Sequence, residues 1–325
     1  VLLEAEDGEY PIPLNPMRAT PGMSKEALFS SLLWVIKAIY AKSWSEGQME
    51  RMFRNILQII LTDPEATPLD IQKLLEDPNY RRRALAATRK AQGRLSHALE
   101  DFWQRFDGEP ASAQRDRTSP VLNRLGVFLD GQMELMMAHP FGLNFGTIIQ
   151  QKKVMLFDLA GGSMLSEADN LGSIFFAMLF FHSFALGEIK EGEPARYHVI
   201  IDETHRFVKA PIQQMFSEAR KYGLSLIMAD QWLGQLEEST RQGILNNKGT
   251  TISFKVAPDQ AKETARLLEP EVSAEDLIKQ GRGEAAVATV YHARTLPAFK
   301  IRTLPPPSAQ FSVEQRRQQA KHNLP

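Results

Sequence analysis

The sequence contains no cysteine, which excludes disulfide bridges and thiolate metal sites. The seven histidines are scattered without the spacing of metal ligands, so we predict no zinc site. No serine lies in a Gly-x-Ser-x-Gly elbow, which leaves α/β-hydrolase chemistry without support. The formal net charge is only −1, so any contact with nucleic acid has to come from a local basic patch. Absence of cysteine is also consistent with a reducing cytosol, and we expect a cytoplasmic protein.

A clear membrane span is also missing. Residues 170–187 carry no formal charge and include the apolar run 174–181. A span needs about 17–25 apolar residues, so this segment lies at the short limit. Ser173, His182 and Ser183 interrupt it, and a predicted strand lies on either side. Because a helix that is apolar all round also suits the buried layer of an α/β domain, we favour a core helix over a span.

No stretch has the Gly-x-x-x-x-Gly-Lys-Ser/Thr pattern of a P-loop. The nearest candidate, Gly22-Met23-Ser24-Lys25, lacks the leading glycine and a preceding strand, and we interpret it as a turn and a helix cap. The chain starts at Val1 instead of a methionine and lacks the charged start of a signal peptide. These features favour a fragment of a longer protein.

Residues 24–139 have the spacing of amphipathic helices, and we predict no strand among them. Ser24 is placed to cap the first helix. Shorter helical segments are predicted around residues 69–75, 95–106 and 120–129. The apolar residues that define the first two helices are Ala27, Leu28, Leu32, Val35, Ile36 and Ile39, then Met49, Met52, Phe53, Ile56, Leu57 and Ile60.

The pattern changes at residue 151, where apolar strands begin to alternate with helices. Strands are predicted at residues 152–159, 197–203, 224–230 and 250–256, with helices at 210–222 and 239–247. The first of these strands is apolar throughout, which is typical of a strand buried on both faces. Such alternation predicts an α/β fold with a largely parallel sheet, whose carboxyl strand ends share one edge. Two short strands follow at residues 285–291 and 298–302.

The most informative motif is His198-Val199-Ile200-Ile201-Asp202-Glu203, in which a predicted strand ends in two adjacent carboxylates. Hydrolysis of a nucleoside triphosphate needs such a pair. The first carboxylate holds magnesium, usually through water, and the second orients or deprotonates the attacking water. The simpler alternative is an acidic pair that closes a strand as solvated turn residues.

A second motif follows one βα unit later and ends at Gln231. The pair Arg220-Lys221 ends a predicted helix, Gly223 caps it, and a strand then leads directly to Gln231. The amide of Gln231 is therefore expected beside the Asp202-Glu203 strand end. Taken separately, Arg220 and Lys221 could simply be cations at a helix carboxyl end, and Gln231 a helix-start residue. Their spacing after an Asp-Glu strand favours a joint role.

The order of these motifs resembles the coupling-protein and secretion ATPases of conjugation machines, which are grouped with HerA- and FtsK-type pumps. The resemblance covers roughly residues 14–256, including Leu14-Asn15-Pro16, and is strongest at 197–254. It implies a RecA-like core with a largely parallel sheet and an inserted all-helical subdomain. It also implies a homo-oligomeric ring, a hexamer in this family, that hydrolyses ATP with Mg²⁺ to move DNA or to feed a membrane-embedded secretion channel.

The resemblance also assigns roles to single residues. Asp202 matches the Walker B aspartate, Glu203 the catalytic glutamate and Gln231 a polar sensor. Arg220 matches a basic position offered to a neighbouring subunit's nucleotide, with Lys221 as a substitute. Asp202-Glu203-Thr204-His205 also spells the box of a DExH helicase, but the basic motif expected downstream is missing. We therefore interpret His205 as a neighbour of the site.

The resemblance divides the chain into four parts. Residues 1–20 are expected to start the ATPase core after its P-loop, and residues 21–145 to form the helical subdomain. Residues 146–304 then complete the core, and residues 305–325 form a flexible tail or a partner-binding helix. In the family the P-loop lies upstream, and we expect a place at the inner face of a membrane, through partners or through an anchor upstream. The competing interpretation is a homologue that has lost nucleotide binding and serves as an assembly or DNA-binding module.

A basic run in the helical region is the best candidate for a nucleic-acid contact. Such a run can bind phosphates, and each contact adds to the salt dependence of binding. The alternative is a solvated basic face balanced by Glu76, Asp77 and Glu100. The run consists of Arg81, Arg82, Arg83, Arg89, Lys90 and Arg94.

Overall fold

The computed structural model describes residues 2–4, 13–19, 23–39, 47–129, 131–159, 165–189, 196–208, 216, 220–308, 312, 314–315 and 318. The first part is mostly helical. Its elements are β1 (Leu2–Glu4), α1 (Lys25–Ile39), α2 (Gln48–Ile60), α3 (Pro68–Glu76), α4 (Pro78–Gln92), α5 (His97–Gly108), α6 (Ala111–Leu125), α7 (Gly131–Met137) and α8 (Phe145–Gln150).

Strands and helices alternate in the second part. Its elements are β2 (Leu156–Asp158), α9 (Leu165–Ile189), β3 (Tyr197–Ile201), α10 (Thr204–Phe207), β4 (Leu224–Met228), α11 (Glu238–Asn247), β5 (Thr250–Ser253), α12 (Pro258–Ala265), α13 (Ala274–Lys279), β6 (Glu284–Tyr291), β7 (Arg294–Thr295) and β8 (Phe299–Arg302).

Helix α2 shows why the apolar spacing of this region produces helices. Its buried side chains recur every three or four residues and form one stripe that enters the core. The next helix, α3, starts at Pro68, and the Asp70 carboxylate accepts hydrogen bonds from the backbone N–H and hydroxyl of Thr67. The bond to the Thr67 backbone occupies one of the N–H groups that a helix start leaves without a partner. The predicted helical character of residues 24–139 is confirmed over the described part of that range.

One helix of this region matches none of the predicted segments and another starts earlier than predicted, because their buried faces are partly polar. Helix α4 turns Arg81, Leu85 and Thr88 inward, and only one of these three is apolar. Helix α6 begins at Ala111, well before the predicted segment, and runs through Pro120. Hydrophobic periodicity cannot reveal a helix whose inward positions are arginine and threonine. The segment predicted at 120–129 was therefore wrong in extent, and α4 was missing from the predicted segments.

The strands before Met228 pair in parallel. Strand β1 pairs in parallel with β2, so that Leu3 lies opposite Phe157. Strands β3 and β4 form a second pair. The N–H of Tyr197 donates to the Gly223 carbonyl at one end of that pair, and the N–H of Ala229 donates to the Ile201 carbonyl at the other. The bonds advance in the same direction along both strands, so this pair is also parallel.

One expectation about these strands was wrong. The first was predicted to span residues 152–159 and to be buried on both faces, but β2 spans three residues and Leu156 is exposed. A turn at Gln151-Lys152, with Lys152 in the left-handed region at φ 54°, delays its start. In β3 and β4, Ile200 and Ile227 are 73% and 50% exposed. In the described structure these strands bury one face only.

Helix α9 contains the charge-free segment 170–187 and forms part of the core. All side chains from Leu171 to Phe180 are buried, and Phe175 stacks on Phe157 of β2 with ring centroids 4.1 Å apart. Gly172 allows a close approach here, since an added Cβ would lie 2.3 Å from Phe207. None of the described helices combines the length and apolarity needed to cross a membrane. The preference for a core helix is confirmed.

The last strands form an antiparallel sheet. Strand β6 pairs antiparallel with β5, with β8 and, across a tight turn, with β7. One face of this sheet packs on α12 and α13 through Ala286, Ala265 and Leu277. The short strands predicted at residues 285–291 and 298–302 are confirmed. The fourth predicted strand, β5, does not continue the parallel order, because its described partner is the hairpin strand β6.

The described residues divide into two compact units. The first contains residues up to 199, with 206–208 and 220–226, and the second contains 200–205 and 227–308. The predicted helix at 210–222 falls largely on residues outside the described ones. Its last part, Arg220–Tyr222, is a 3₁₀ turn that ends at Gly223 with φ 72°, as expected for a glycine cap. The predicted tail at 305–325 also lies mostly outside the described residues.

Candidate active site

The candidate site lies where β3 and β4 end. The N–H of Ala229 donates to the Ile201 carbonyl over 2.9 Å, and the N–H of Thr204 donates to the Ala229 carbonyl over 3.1 Å. Thr204 is fully buried, and its hydroxyl lies 3.3 Å from the Ile201 carbonyl and 3.2 Å from that of Ala229. These bonds tie the two strand ends together and fix the backbone from which the polar side chains project.

Asp202 and Glu203 occupy a sharp turn directly after β3. Glu203 has φ 51°, a left-handed conformation that a non-glycine residue rarely adopts and that costs about 1 kcal/mol or more. Its N–H donates to the Asp202 carboxylate over 3.0 Å. Backbone strain of this kind is concentrated at functional sites. The turn gives the two adjacent carboxylates different surroundings, with Asp202 exposed and Glu203 partly buried.

Gln231 contacts Glu203, as the sequence predicts. Its side-chain amide donates to Glu203 Oε1 over 3.0 Å, although the two residues lie 28 positions apart. The predicted proximity of Gln231 to the acidic strand end is therefore confirmed. The catalytic roles assigned to Glu203 and Gln231 stay predictions.

The polar side chains of Asp230 and His205 complete the cluster. The sequence analysis assigned neither of them a role in the chemistry. Asp230 Oδ1 accepts the backbone N–H of His205 over 2.9 Å and lies 3.0 Å from His205 Nδ1. His205 Nδ1 also lies 3.5 Å from Glu203 Oε2. The sequence position of Asp230 could have indicated a site residue, because it follows a strand and directly precedes Gln231. His205 was predicted as a neighbour of the site, and the structure confirms that position.

The cluster has the donor set that magnesium with a nucleotide requires from a protein. Magnesium keeps several waters and usually takes one or two carboxylates, together with phosphate oxygens. Asp202 supplies an exposed carboxylate at the turn. Among the described residues, no group of three or more His, Asp or Glu side chains is arranged to hold a metal without such help. Asp202 therefore fits a water-mediated magnesium contact and does not form a self-contained metal centre.

The basic pair Arg220-Lys221 lies ahead of β4. Arg220 begins the 3₁₀ turn, but its side chain lies outside the described part of the structure. The side chain of Lys221 is exposed. The assignment of Arg220 as a residue that reaches a neighbouring nucleotide stays a prediction.

The basic run of α4 needs one correction. Arg81 is 1% exposed, and its guanidinium bonds the Asp107 carboxylate over 2.7 Å and the Leu74 and Leu75 carbonyls over 2.8 and 3.2 Å. It also lies 4.9 Å from the Phe106 ring centre. Arg81 is therefore a core residue that caps the end of α3, and its inclusion in a phosphate-binding patch was wrong.

The rest of the run remains on the surface. Arg89 pairs with Glu100 over 3.1 Å, which partly supports the prediction of a balanced face. Four other side chains of the run are exposed, and we call them the basic face. The basic face consists of Arg82, Arg83, Lys90 and Arg94.

Residues 196–304 match the sequence model of a family described as the TraM recognition site of TraD and TraG. The matched segment contains the whole cluster of Asp202, Glu203, His205, Asp230 and Gln231. No curated protein sequence matches the chain closely enough to count as a relative.

Several solved structures share the fold. The bacterial conjugative coupling protein TrwBΔN70, in a trigonal form with sulphate, matches with a TM-score of 0.61 and 11% identity, over 93% of this chain and 73% of that one. TrwB in complex with ADP and Mg²⁺ matches with a TM-score of 0.58 and 12% identity, over 96% and 79%. VirB4 of Thermoanaerobacter pseudethanolicus matches with a TM-score of 0.58 and 16% identity, over 94% and 77%.

These similarities agree with the resemblance found in the sequence. The chain has the fold of the conjugative coupling proteins and of VirB4, an α/β fold of RecA-like type. At these identities the structural match shows the fold alone, so the chemistry of this chain has to be argued from its own residues.

Proposed function

We propose that this chain forms the Walker B part of an ATP-hydrolysing motor that acts in conjugation or type IV secretion. One observation carries the proposal. Glu203 and Gln231 follow two adjacent parallel strands and are hydrogen-bonded at 3.0 Å. The fold that presents them is shared with TrwB, which binds ADP with Mg²⁺. Ligands in open α/β sheets bind at the carboxyl ends of the strands, where this pair lies.

Each residue of the pair has a distinct part in hydrolysis. The Glu203 carboxylate accepts the proton of the attacking water, and Gln231 holds that carboxylate through its amide. Asp202 would hold magnesium through a water molecule. When bound, magnesium neutralises charge on the phosphates. The amide of Gln231 carries a second N–H, which can bond the γ-phosphate or the water.

The rest of the nucleotide site has to come from elsewhere. No part of the 325 residues has the P-loop pattern, so the phosphates need a loop supplied from outside this sequence. Arg220 is proposed to reach the nucleotide of a neighbouring subunit in a ring, which the family resemblance implies to be a hexamer. DNA, or protein joined to DNA, is the proposed cargo, and the basic face is its proposed contact.

A specific observation also favours a partner-binding role. The segment that matches the TraM recognition site of TraD and TraG is the segment that carries the cluster. A homologue without nucleotide binding could still use it for assembly with relaxosome or secretion components. The two functions differ in what they need from Glu203, because only hydrolysis requires its carboxylate.

The test is Glu203→Gln in the full-length protein that contains this chain. We expect ATP binding to persist and turnover to fall by about 10²–10⁴-fold, since that is what general-base catalysis contributes. The matched control is Glu65→Gln, which makes the same change at an exposed glutamate in the helical part and should leave turnover unchanged. Wild-type turnover in Glu203→Gln would show that the Walker B assignment is wrong. Absence of ATP binding in the wild-type protein would favour the partner-binding role.

A further inference from the structure

His205 lies between two carboxylates, and the proposed function gives it no role. Its Nδ1 is 3.0 Å from Asp230 Oδ1 and 3.5 Å from Glu203 Oε2. The side chain is 24% exposed, while that of Asp230 is only 10% exposed. His205 also belongs to α10, the short helix that starts directly after the Glu203 turn. Besides Gln231, it is therefore a second side chain that connects the end of β4 with the proposed general base.

The bonds to Asp230 determine the orientation of the ring. An ionised carboxylate only accepts hydrogen bonds, so the hydrogen between the two residues must be on His205 Nδ1. The same Asp230 Oδ1 also accepts the backbone N–H of His205 over 2.9 Å. Two bonds from one residue to one oxygen hold both the backbone and the ring. The Nδ1–H consequently points at Asp230 Oδ1, and Glu203 Oε2 lies beside it, 3.5 Å from the same nitrogen.

This orientation matters for Glu203, whose side chain has three rotatable bonds. Gln231 holds one carboxylate oxygen, Oε1, at 3.0 Å. The Nδ1 edge of the His205 ring lies against the other, Oε2, at 3.5 Å, while its hydrogen is donated to Asp230. The two contacts come from opposite oxygens and restrict rotation of the carboxylate as a pair. A general base requires such restriction, because catalysis is sensitive to small displacements of the reacting group.

We propose that His205, held by Asp230, is a positioning residue that orients the Glu203 carboxylate toward the attacking water. The proposal rests on the proposed function, in which Glu203 is the general base. His205 itself need not touch the nucleotide. Its contribution is made through Glu203, and it should affect the rate of hydrolysis more than the binding of ATP.

The test compares two substitutions in the full-length protein. His205→Leu removes the donor, and we expect kcat to fall about 10- to 100-fold with KM for ATP nearly unchanged, since displacement of a catalytic group by about 1 Å can cost 10²-fold. His205→Asn places an amide N–H near the position of Nδ1, and we expect it to restore most of the lost rate. His198→Leu, at an exposed histidine of β3, is the matched control. Thermal unfolding and binding of a non-hydrolysable ATP analogue, ADPNP, are measured for each variant.

A double-mutant cycle tests the link to Asp230 without relying on a single variant. If Asp230 acts through His205, then Asp230→Ala combined with His205→Leu should reduce kcat no further than either change alone. Independent, multiplying losses would overturn the proposal. Equal losses in His205→Leu and His205→Asn, at unchanged unfolding temperature, would overturn it too, because the hydrogen bond would then not matter.

The outcome for Glu203 separates this inference from the proposed function. If Glu203→Gln keeps wild-type turnover, the proposed function fails, and the positioning role fails with it. If Glu203→Gln loses turnover while His205→Leu keeps the wild-type kcat, only the positioning role fails. Loss of kcat in both, with rescue by His205→Asn, supports both.

Discussion

The helical part and the strand ends of this protein treat charged side chains in opposite ways. Arg81 in the helical part is 1% exposed and is bonded to Asp107 and to two backbone carbonyls. Glu203 at the strand ends is 31% exposed and is bonded to one amide. The donors of the Arg81 guanidinium are engaged by groups of the fold itself, the Asp107 carboxylate and the Leu74 and Leu75 carbonyls. The carboxylate is held in place but keeps acceptor capacity that a ligand can use.

This difference separates structural from functional charge. A buried charge is tolerated only with its partners, so its removal should affect folding and nothing else. A partly exposed charge held by one partner contributes little to stability, and its removal should affect chemistry. Four sets of measurements test this distinction between structural and functional side chains. They follow in order of the expected change in free energy, from the largest to the smallest.

The largest effect is expected for Arg81→Leu. The substitution leaves the Leu74 and Leu75 carbonyls and the Asp107 carboxylate without their donor, and we expect the free energy of unfolding to fall by about 2–4 kcal/mol. Urea unfolding measures it. Arg82→Leu, at an exposed neighbour on the same helix, should change it by no more than about 0.5 kcal/mol. A similar small change for Arg81→Leu would mean that burial does not make this cation structural.

The second prediction concerns His182 in α9. Burial lowers the pKa of His182 to about 4, opposed by the hydrogen bond to the Met178 carbonyl. The unfolded chain takes up a proton near pH 6.5, before the folded chain does, so stability is complete above that pH and falls as the pH drops toward 4. Between pH 7 and pH 4.5 we expect a loss of roughly 2–3 kcal/mol from this group.

The measurement is urea unfolding of the wild-type chain and of His182→Leu at both pH values. The variant should lose this part of the pH dependence. His97→Leu, at an exposed histidine of α5, should retain it. An identical pH dependence in wild-type and His182→Leu would show that His182 is not held neutral by the core.

The third prediction tests the basic face. Changing Arg82, Arg83, Lys90 and Arg94 together to glutamine should weaken DNA binding about tenfold or more, which corresponds to about 1.4 kcal/mol. The slope of log K against log salt should become shallower by about 0.9 for each phosphate that the variant no longer neutralises. Fluorescence anisotropy with duplex DNA at several salt concentrations measures both quantities.

A control for the basic face needs an equal reduction of charge elsewhere. Glutamine substitution at four exposed cations of the carboxyl-terminal part, Lys255, Lys262, Arg282 and Arg294, removes the same charge from another surface. If both quadruple variants show the same decrease in affinity and slope, the basic face is no more than a solvated helix surface. Unchanged binding in the first variant leads to the same conclusion.

The smallest effect is expected for Thr204→Val, which keeps the shape of the side chain and removes its hydroxyl. That hydroxyl lies within hydrogen-bond distance of the Ile201 and Ala229 carbonyls. Its removal should lower the free energy of unfolding by about 1 kcal/mol. Thr295→Val, at an exposed position of β7, is the control. A neutral result at Thr204 would show that the backbone bonds alone hold the strand ends.

Local patterns along the chain were enough to predict the alternation of strands and helices and much of the candidate site. Asp202, Glu203 and Gln231 could be placed together because parallel strands bring their carboxyl ends to one edge. Gly223 could be placed as a cap because few other residues accept its left-handed backbone. Both inferences depend on local chemistry and on a topological rule, and neither needs knowledge of side-chain packing.

The choice of polar residues that face inward could not be predicted in this way. Arg81 and Arg82 are adjacent and chemically identical, and the fold buries one and exposes the other because α4 packs against α3 and α5 through its Arg81 face. For the same reason, the helix α4 and the first part of α6 could not be predicted from the spacing of apolar residues. The antiparallel partner of β5 and the contact of His205 with Asp230 join residues far apart in the chain. The spacing of apolar residues indicates which face of a helix or strand is buried. The element that packs against that face is determined by the three-dimensional structure.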